Sequence, residues 1–325
     1  MSSMVLAESV RPQRELVRGN RIAVFVPCYN EALSIGNVVR DFKAALPSAR
    51  IYVYDNNSSD GTVDVSRAAG AIVRREAEQG KGNVVRRMFA DVDADIYIMV
   101  DGDGTYDASV APLLVDTLVS GPYDMVNVAR KHTDHKAYRR GHVFGNQMLT
   151  GLVGMFFGVK TSDMLSGYKA FSRRFVKTFP ATSQKFETET ELMIHCLDLR
   201  LPVAEIEAPY GKRAEGSASK LSTFRDGLRI LMLLGWLLKH EKPLLFFSTM
   251  SMLLAVLSIA LGMPIVIEYF ATGLVPRLPT ALLASAIMLT AVISFFSGLI
   301  LDTVTHSRRE IKRLLYLLEP PVDLS

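Results

Sequence analysis

Cysteine and the common nucleotide-binding signatures are scarce or absent in this sequence of 325 residues. Its two cysteines, Cys28 and Cys196, stand in unrelated contexts, so we expect both to be reduced and buried, with no disulfide framework or metal knuckle. No P-loop pattern occurs, and no Gly-x-Gly-x-x-Gly follows the first strand pattern. These absences argue against an ATPase and against a dinucleotide-binding dehydrogenase.

The chain also has no secretory signal pattern at its start and no strong excess of charge. Residues 1–20 contain Arg11, Arg14 and Arg18 and lack the apolar core that such a signal needs. The net charge of +4 is too mild and too scattered to indicate a nucleic-acid partner. We therefore expect a cytoplasmic catalytic portion, with basic residues facing anionic membrane lipid.

From Arg21 to about Lys212, short apolar runs alternate with amphipathic stretches. The runs are partly β-branched, which is typical of strands covered on both faces. They are Ile22–Pro27, Ile51–Asp55, Ala71–Arg74, Ile96–Asp101 and Met125–Ala129. The stretches with helical periodicity are Ser34–Leu46, Gly61–Ala69, Gly82–Ala90 and Ala108–Val119. This alternation predicts an α/β domain with a mostly parallel sheet and helices on both faces.

Two long uncharged runs follow, Leu244–Ile267 and Leu278–Leu301, and each can cross a hydrocarbon core of about 30 Å as a helix. Basic residues precede the first run and follow the second, whereas the turn between the runs has only two charged residues, Glu268 and Arg277. The positive-inside rule then predicts a two-helix transmembrane hairpin with both termini cytoplasmic. The alternative is a pair of buried helices in a large soluble core.

The segment before the hairpin has apolar residues at helical spacing, which predicts an amphipathic helix in the lipid interface. These residues are Leu221, Phe224, Leu228, Leu231, Gly235 and Leu238. The tail after the hairpin has the same character, and packing against the catalytic domain is its alternative. The predicted organisation is an extension (1–20), an α/β domain (21–220), an interfacial helix (221–243), a hairpin (244–301) and a tail helix (302–325).

The strongest local motif is Asp101-Gly-Asp103-Gly-Thr105, directly after an apolar strand. Two carboxylates in a glycine-loosened turn suit Mg²⁺ or Mn²⁺, which prefer oxygen ligands together with a diphosphate. An acidic loop without a ligand is the alternative. Polar clusters also follow two other strands, at Pro27–Glu31 and Tyr54–Thr62, and ligands of open α/β sheets bind where such strand ends meet. The weaker motif Gln79–Asn83 opens a helix and could face a phosphate.

Seven motifs in this order resemble family 2 glycosyltransferases. They are Pro27–Glu31, Asp55 with Ser59–Thr62, Gly80–Gly82, Asp101–Asp103, Asp163 with Ser166–Lys169, Glu189 with Glu191, and Tyr210–Lys220. More narrowly, the sequence resembles the polyprenyl-phosphate glycosyltransferases, which include dolichyl-phosphate mannose synthases and bactoprenol glucosyltransferases. The resemblance covers roughly Ile22 to Lys220, and members with two membrane helices match the hairpin.

The resemblance implies a GT-A fold and a role for each matching residue. The nucleoside pocket would consist of Pro27, Tyr29, Glu31 and Asp55. Lys81 would approach the donor, Asp101 and Asp103 would hold the nucleotide and the metal, and Arg213 with Lys220 would close over the donor phosphates. The acceptor phosphate would meet Arg130, Arg139, Arg140 and Ser219. The family's mannose synthases have a metal-binding amide at the position of Thr105, so a third protein ligand is not identified.

The resemblance also implies the reaction: an inverting transfer of one hexose-type sugar from a UDP- or GDP-sugar to polyprenyl phosphate, for cell envelope glycans. Catalytic roles fall to Asp103, Asp163 and Arg213. Asp163 either orients a substrate or acts as a base, and at most one of Glu189 and Glu191 faces the sugar. The alternatives are a transferase with another acceptor and a silent membrane-anchored subunit. We expect location in the inner membrane, with the hairpin as a candidate surface for self-association.

Overall fold

The structure, a computed structural model, describes residues 21–132, 162–181, 188–211, 235 and 238–322. It consists of two compact units. One comprises Met1–Asp226 together with Lys312–Ser325, and the other comprises Gly227–Ile311. The first unit contains the sheet, and the second contains most of the two long apolar helices.

The first unit is built on a seven-stranded sheet. Its strands are β1 (Ile22–Cys28), β2 (Arg50–Asp55), β3 (Ile72–Arg75), β4 (Ile96–Met99), β5 (Met125–His132), β6 (Lys169–Ser172) and β7 (Val203–Tyr210). Their order is β3-β2-β1-β4-β6-β5-β7. Among the described strands, β6 runs antiparallel to its neighbours β4 and β5, and the other pairings are parallel.

Helices cover both faces of this sheet. They are α1 (Ile35–Ala45), α2 (Thr62–Ala68), α3 (Lys81–Asp91), α4 (Ala111–Ser120), α5 (Arg173–Thr178) and α6 (Thr188–Leu199). Successive side chains of a strand point to opposite faces. In β1, Val24 and Val26 belong to the same buried cluster as Phe42 of α1, whereas the ring of Phe25 packs against Phe89 of α3.

The predicted fold class is confirmed: the sheet is mostly parallel and of GT-A type, and two apolar helices follow it. Each of the five predicted strands is present, although β4 ends at Met99 instead of Asp101. Sequence analysis did not predict β6 or β7. β6 has only four residues, two of them Lys169 and Ser172, so it shows no apolar run; its pairing with β4 and β5 defines it as a strand.

The second unit contains α7 (Pro243–Thr272) and most of α8 (Leu278–Leu318), both long and apolar enough to cross a membrane. Serine hydroxyls tie the two helices together, because Ser258 Oγ donates to the Ala284 carbonyl and Ser251 Oγ to the Ala291 carbonyl, both at 2.7 Å. Gly298 permits the close approach, since a Cβ there would lie 2.8 Å from Phe247 Cβ. The predicted interfacial helix falls largely outside the described residues.

α8 continues without a break through Leu318, where sequence analysis separated a span from a tail helix. Its last turns pack against the sheet unit. The Tyr316 hydroxyl donates to Asp124 Oδ2 at 2.8 Å, and Lys312 Nζ lies 3.2 Å from Asp198 Oδ2. Of the two alternatives for the tail, these contacts correspond to packing against the domain.

Candidate active site

Two polar loops are joined at the carboxyl ends of β1 and β2. The Asn30 amide donates to Ser58 Oγ at 2.9 Å, and the Glu31 amide donates to Thr62 Oγ1 at 2.8 Å. Asn30 has a φ of 56°, a left-handed conformation that asparagine adopts more readily than most residues. The expected convergence of these strand ends is therefore present, and it brings the motif at Pro27–Glu31 against the motif at Tyr54–Thr62.

Asp55, the last residue of β2, and Asn56, which follows it, organise the loop that leads into α3. The buried Asp55 carboxylate accepts from the Ser58 amide at 3.2 Å. The Asn56 side chain donates to the carbonyls of Glu76 and Glu78, at 3.0 and 2.8 Å, and accepts from the Gly80 amide at 2.7 Å. These bonds place the first residue of α3, which is Lys81, beside the acidic loop after β4.

The Asp101–Thr105 loop is packed onto the start of the chain's first βα unit. A Cβ on Gly102 would lie 2.6 Å from Cys28 Sγ, and Ser34 Oγ donates to the Gly102 carbonyl at 2.7 Å. Gly104 has a φ of 73°. Asp103 is 4% exposed, and its Oδ1 accepts from Thr105 Oγ1 at 2.6 Å. Thr105, which lacks the family's amide, thus orients the second carboxylate.

Lys81 connects Asp101 to a residue far along the sequence. Its Nζ lies 2.6 Å from Asp101 Oδ1 and also pairs with Glu189 at the start of α6. Burial alone would lower the pKa of Lys81, but the two carboxylates outweigh it and hold the pKa above its usual value. Asp101 is confined on its other side, because a Cβ on Gly167 would lie 2.1 Å from Asp101 Oδ2.

Asp163 and Arg130, the latter within β5, form an ion pair with two hydrogen bonds. Arg130 Nε and Nη2 donate to the Asp163 carboxylate at 2.6 and 2.8 Å. The guanidinium also lies over the Tyr210 ring, 5.4 Å from its centre. Burial would raise the pKa of the Asp163 carboxyl, but the hydrogen bonds and charge of Arg130 outweigh it and lower that pKa. Asp163 therefore remains ionised at neutral pH and is a weak base.

Tyr106 joins these parts of the site, although sequence analysis assigned it no role. Its hydroxyl accepts from the Gly167 amide at 2.8 Å, and its ring packs edge-on against Tyr210 with centres 5.1 Å apart. Sequence analysis also assigned no pairing between Lys81 and Glu189. The position of Tyr106 directly after the acidic motif could have indicated a role at the site. No local pattern could have indicated the pairing of Lys81 with Glu189, because these residues are 108 positions apart.

The structure describes nine of the predicted site residues at or beside these strand ends. They are Pro27, Tyr29, Glu31, Asp55, Lys81, Asp101, Asp103, Arg130 and Asp163. Pro27 lies within β1, paired with Tyr54, and Tyr29 is 38% exposed. The other five lie outside the described residues, so their predicted roles stay predictions. They are Arg139, Arg140, Arg213, Ser219 and Lys220.

Two relatives from Haloferax volcanii and one solved structure are similar to this chain. Glycosyltransferase AglJ is 30% identical over 90% of this chain and 97% of its own length. A dolichyl-phosphate hexose transferase is 27% identical over 64% of this chain and 90% of its own length. The solved structure is Mycobacterium tuberculosis glucosyl-3-phosphoglycerate synthase in complex with Mn²⁺, UDP-glucose and glycerol 3-phosphate, with a TM-score of 0.58 and 21% identity over 73% of this chain and 86% of that chain.

The family assignment rests on the sequence relatives together with a family model, because structural similarity at this low identity shows the fold alone. The model described as glycosyl transferase family 2 matches residues 23–179, which contain β1 to β6 and both acidic strand-end residues, Asp101 and Asp103. AglJ extends the similarity along nearly the whole chain. The chain therefore belongs to glycosyl transferase family 2.

Proposed function

We propose that this glycosyltransferase transfers a single hexose from a nucleotide diphosphate sugar to polyprenyl phosphate at the cytoplasmic membrane face, with inversion. One observation carries the acceptor class: the chain with the acidic strand-end site also has two apolar helices of membrane-spanning length. A lipid-linked acceptor lies in the same membrane that such helices occupy. The relative named a dolichyl-phosphate hexose transferase supports this choice. Both termini would then be cytoplasmic.

The donor would lie across the ends of β1, β2 and β4. Asp55 with Glu31, Pro27 and Tyr29 would line the nucleoside pocket, because these residues occupy the loops that the Ser58 and Thr62 hydroxyls hold together. Lys81 would face the diphosphate. Its ammonium group is already held at the acidic loop by Asp101 and Glu189, so little side-chain entropy remains to be lost when the donor binds.

The residues of the acidic loop fit a divalent cation. In the described part of the chain, no three His, Cys, Asp or Glu side chains converge as a metal site. Mg²⁺ is usually held by one or two carboxylates together with substrate phosphates and water, which corresponds to Asp101 and Asp103 plus a donor diphosphate. Bound Mg²⁺ or Mn²⁺ would supply positive charge that stabilises the diphosphate leaving group. The mycobacterial synthase was crystallised with Mn²⁺ and UDP-glucose.

The acceptor phosphate would approach Arg130. A phosphate monoester has a second pKa near 6, so it is largely a dianion at neutral pH and needs no strong base. One of its oxygens forms the new bond to the anomeric carbon while the bond from that carbon to the diphosphate breaks, and the nucleoside diphosphate leaves. Asp163 would orient Arg130, since its carboxylate is already engaged by two guanidinium bonds. Arg139, Arg140 and Ser219 would contribute to the same phosphate site.

The test uses the full-length protein in lipid nanodiscs. A panel of UDP- and GDP-hexoses is supplied with polyprenyl phosphate and Mg²⁺ or Mn²⁺, and the glycolipid is identified by mass spectrometry. We expect one donor to give a singly glycosylated, β-linked lipid phosphate from an α-linked donor. Asp103→Ala should abolish the product without unfolding the protein, whereas Asp64→Ala, at a side chain 89% exposed and outside the site, should not.

Two outcomes would contradict the proposal. Transfer to a glycan or another lipid, with polyprenyl phosphate ignored, would show a different acceptor. Binding of the nucleotide with metal but no transfer to any acceptor would indicate a silent membrane-anchored subunit. Where the wild type does transfer sugar, retained activity in Asp103→Ala would separately refute the metal assignment.

A further inference from the structure

Lys169 is a lysine with no solvent exposure, at the first position of β6. Its backbone pairs with Met99 of β4 on one side and Asn127 of β5 on the other. It therefore lies in the interior beneath the strand ends that form the site. Burial lowers the pKa of Lys169 to about 8, against the attraction of Asp163 and Glu189. Neither the sequence motifs nor the proposed reaction gives this ammonium group a role.

The ammonium group of Lys169 is the first member of a buried hydrogen-bond chain. It donates to Asn127 Oδ1 and, at 3.5 Å, to the Met164 carbonyl. Asn127, also fully buried, has both amide hydrogens engaged: Nδ2 donates to the Asp163 carbonyl at 2.9 Å and to Glu205 Oε2 at 3.0 Å. Lys169 therefore fixes which way the Asn127 amide points, because only the oxygen of that amide can accept from an ammonium.

The same chain holds the segment around Asp163 at further points. Glu205 of β7 accepts from the Ser162 amide at 3.0 Å and from Ser162 Oγ at 2.5 Å. Three consecutive residues, Ser162 to Met164, are thus bonded through their backbones to side chains of β5, β6 and β7, of which Asn127 and Lys169 are fully buried. The middle residue is Asp163, whose carboxylate holds Arg130.

Packing alone does not account for a lysine in this place. Burying an ammonium group costs several kcal/mol, and an apolar side chain of similar volume often fills such a site at no loss of stability. The hydrogen bonds of Lys169 all lead toward Asp163, which makes the charge useful for orienting that residue. Buried polar groups whose hydrogen bonds are satisfied, as those of Lys169 and Asn127 are, rigidify their surroundings.

We propose that Lys169 and Asn127 are positioning residues that fix the backbone of Asp163 and, through it, the guanidinium of Arg130 that receives the acceptor phosphate. This inference rests on the proposed function for the nature of the acceptor. The position of the Arg130 guanidinium would then depend on two side chains that contact neither substrate.

The kinetic test is a double-mutant cycle in nanodiscs with Lys169→Met, Arg130→Lys and the double variant. Lys169→Met should lower kcat/KM for the lipid phosphate by about 100-fold, the cost typical of a misplaced reacting group, while KM for the nucleotide sugar stays unchanged. In the Arg130→Lys background the same change should lower kcat/KM much less, because the effects of substitutions at coupled residues are not additive. Lys177→Met, at a surface lysine paired with Asp93, is the matched control.

Asn127→Asp covers the case in which Lys169→Met does not fold. It leaves Lys169 with an acceptor but removes the amide hydrogens that reach Asp163 and Glu205, so it should give the same acceptor-specific loss. A readout without acceptor is the ¹⁵Nε signal of Arg130, identified by its loss in Arg130→Lys. Its slow exchange with solvent should be lost in either variant and kept in Lys177→Met.

The outcomes separate this inference from the proposed function. A wild type that glycosylates no polyprenyl phosphate refutes the proposed function, and the Arg130 signal still decides the inference. An unchanged Arg130 signal in both variants, or equal losses in donor and acceptor parameters that add fully in the cycle, would overturn the positioning role. Those results would leave Lys169 and Asn127 as ordinary contributors to stability.

Discussion

At the scale of single residues, the acidic side chains of the site have different surroundings and therefore different roles. Asp101 is paired with Lys81, Asp103 is oriented by Thr105, and Asp163 holds Arg130. Each carboxylate is thus held by a hydrogen bond or ion pair from a neighbouring side chain. These contacts fix how the carboxylates point, as binding of a cation and orientation of an arginine both require.

The Arg130–Asp163 pair predicts a pH-dependent contribution to stability. The folded-state pKa of Asp163 is lowered, so the contribution is complete above the ordinary aspartate pKa of about 4 and is lost as the pH falls through the lowered value. Asp163→Asn should cost about 3 kcal/mol at pH 7, because it leaves the largely enclosed Arg130 guanidinium, whose side chain is 14% exposed, without its charge partner. The difference in unfolding midpoint between variant and wild type should shrink toward pH 3. A difference independent of pH would contradict the assignment.

Gly167 predicts a loss of activity from a single added methyl group. The Cβ of Gly167→Ala would lie 2.1 Å from Asp101 Oδ2, so the carboxylate or the Ser166–Tyr168 turn must move. We expect transfer to fall about 100-fold, the effect of a small displacement in a site, with thermal stability changed little. Gly235→Ala, where a Cβ meets nothing within 4 Å, is the control. Normal kcat and KM in Gly167→Ala would show that Asp101 tolerates displacement.

At the scale of elements, strand β6, which sequence analysis did not predict, and the docked end of α8 both shape the sheet unit. β6 runs between β4 and β5, and so carries the Gly167 turn and Lys169 to the middle of the site edge. The end of α8 packs beside the start of β5 and the end of β6, where Asp124 accepts hydrogen bonds from both the Tyr316 hydroxyl and Ser172 Oγ. The sheet unit therefore includes residues from both ends of the chain.

Substitution of Tyr316 tests whether the end of α8 is docked in the sheet unit. Tyr316→Phe keeps the ring and its contact with Arg174 but removes the 2.8 Å hydrogen bond to the buried Asp124. Loss of one hydrogen bond to a charged, buried partner should lower stability by about 2 kcal/mol. Unfolding measured by circular dichroism in detergent should show this, and Leu317→Ala, at an exposed position of the same helix, should change little. Equal effects of the two substitutions would argue against docking.

At the scale of the whole molecule, the chain combines the sheet unit with two long apolar helices. Most large side chains on α7 and the apolar part of α8 are exposed, and both helices are long and apolar enough to cross a membrane. The interfacial helix (221–243) and the domain boundaries derived from the sequence remain proposals. Self-association through the hairpin likewise remains a prediction.

Removing the hairpin predicts a separation of binding from lipid transfer. A chain in which a long Gly/Ser linker replaces residues 240–311 keeps the contacts of Lys312 and Tyr316 with the sheet unit. It should be soluble and bind nucleotide with Mn²⁺ as well as the full chain does. It should glycosylate long-chain polyprenyl phosphate in bilayers poorly, because the enzyme no longer shares a surface with its acceptor. Undiminished transfer in vesicles would show that the hairpin is dispensable.

The sequence by itself determined five of the seven strands, the two helices long and apolar enough to cross a membrane, and the place of the acidic pair after β4. Apolar periodicity and uncharged length are local properties, and the acidic pair Asp101 and Asp103 follows its strand directly, so a linear reading detects them. The pairing of Lys81 with Glu189, the hold of Asp163 on Arg130 and the buried charge of Lys169 were decided only by the tertiary structure. Those contacts join residues far apart in the chain, and the short antiparallel β6 between β4 and β5 that brings several of them together has no periodic signal of its own.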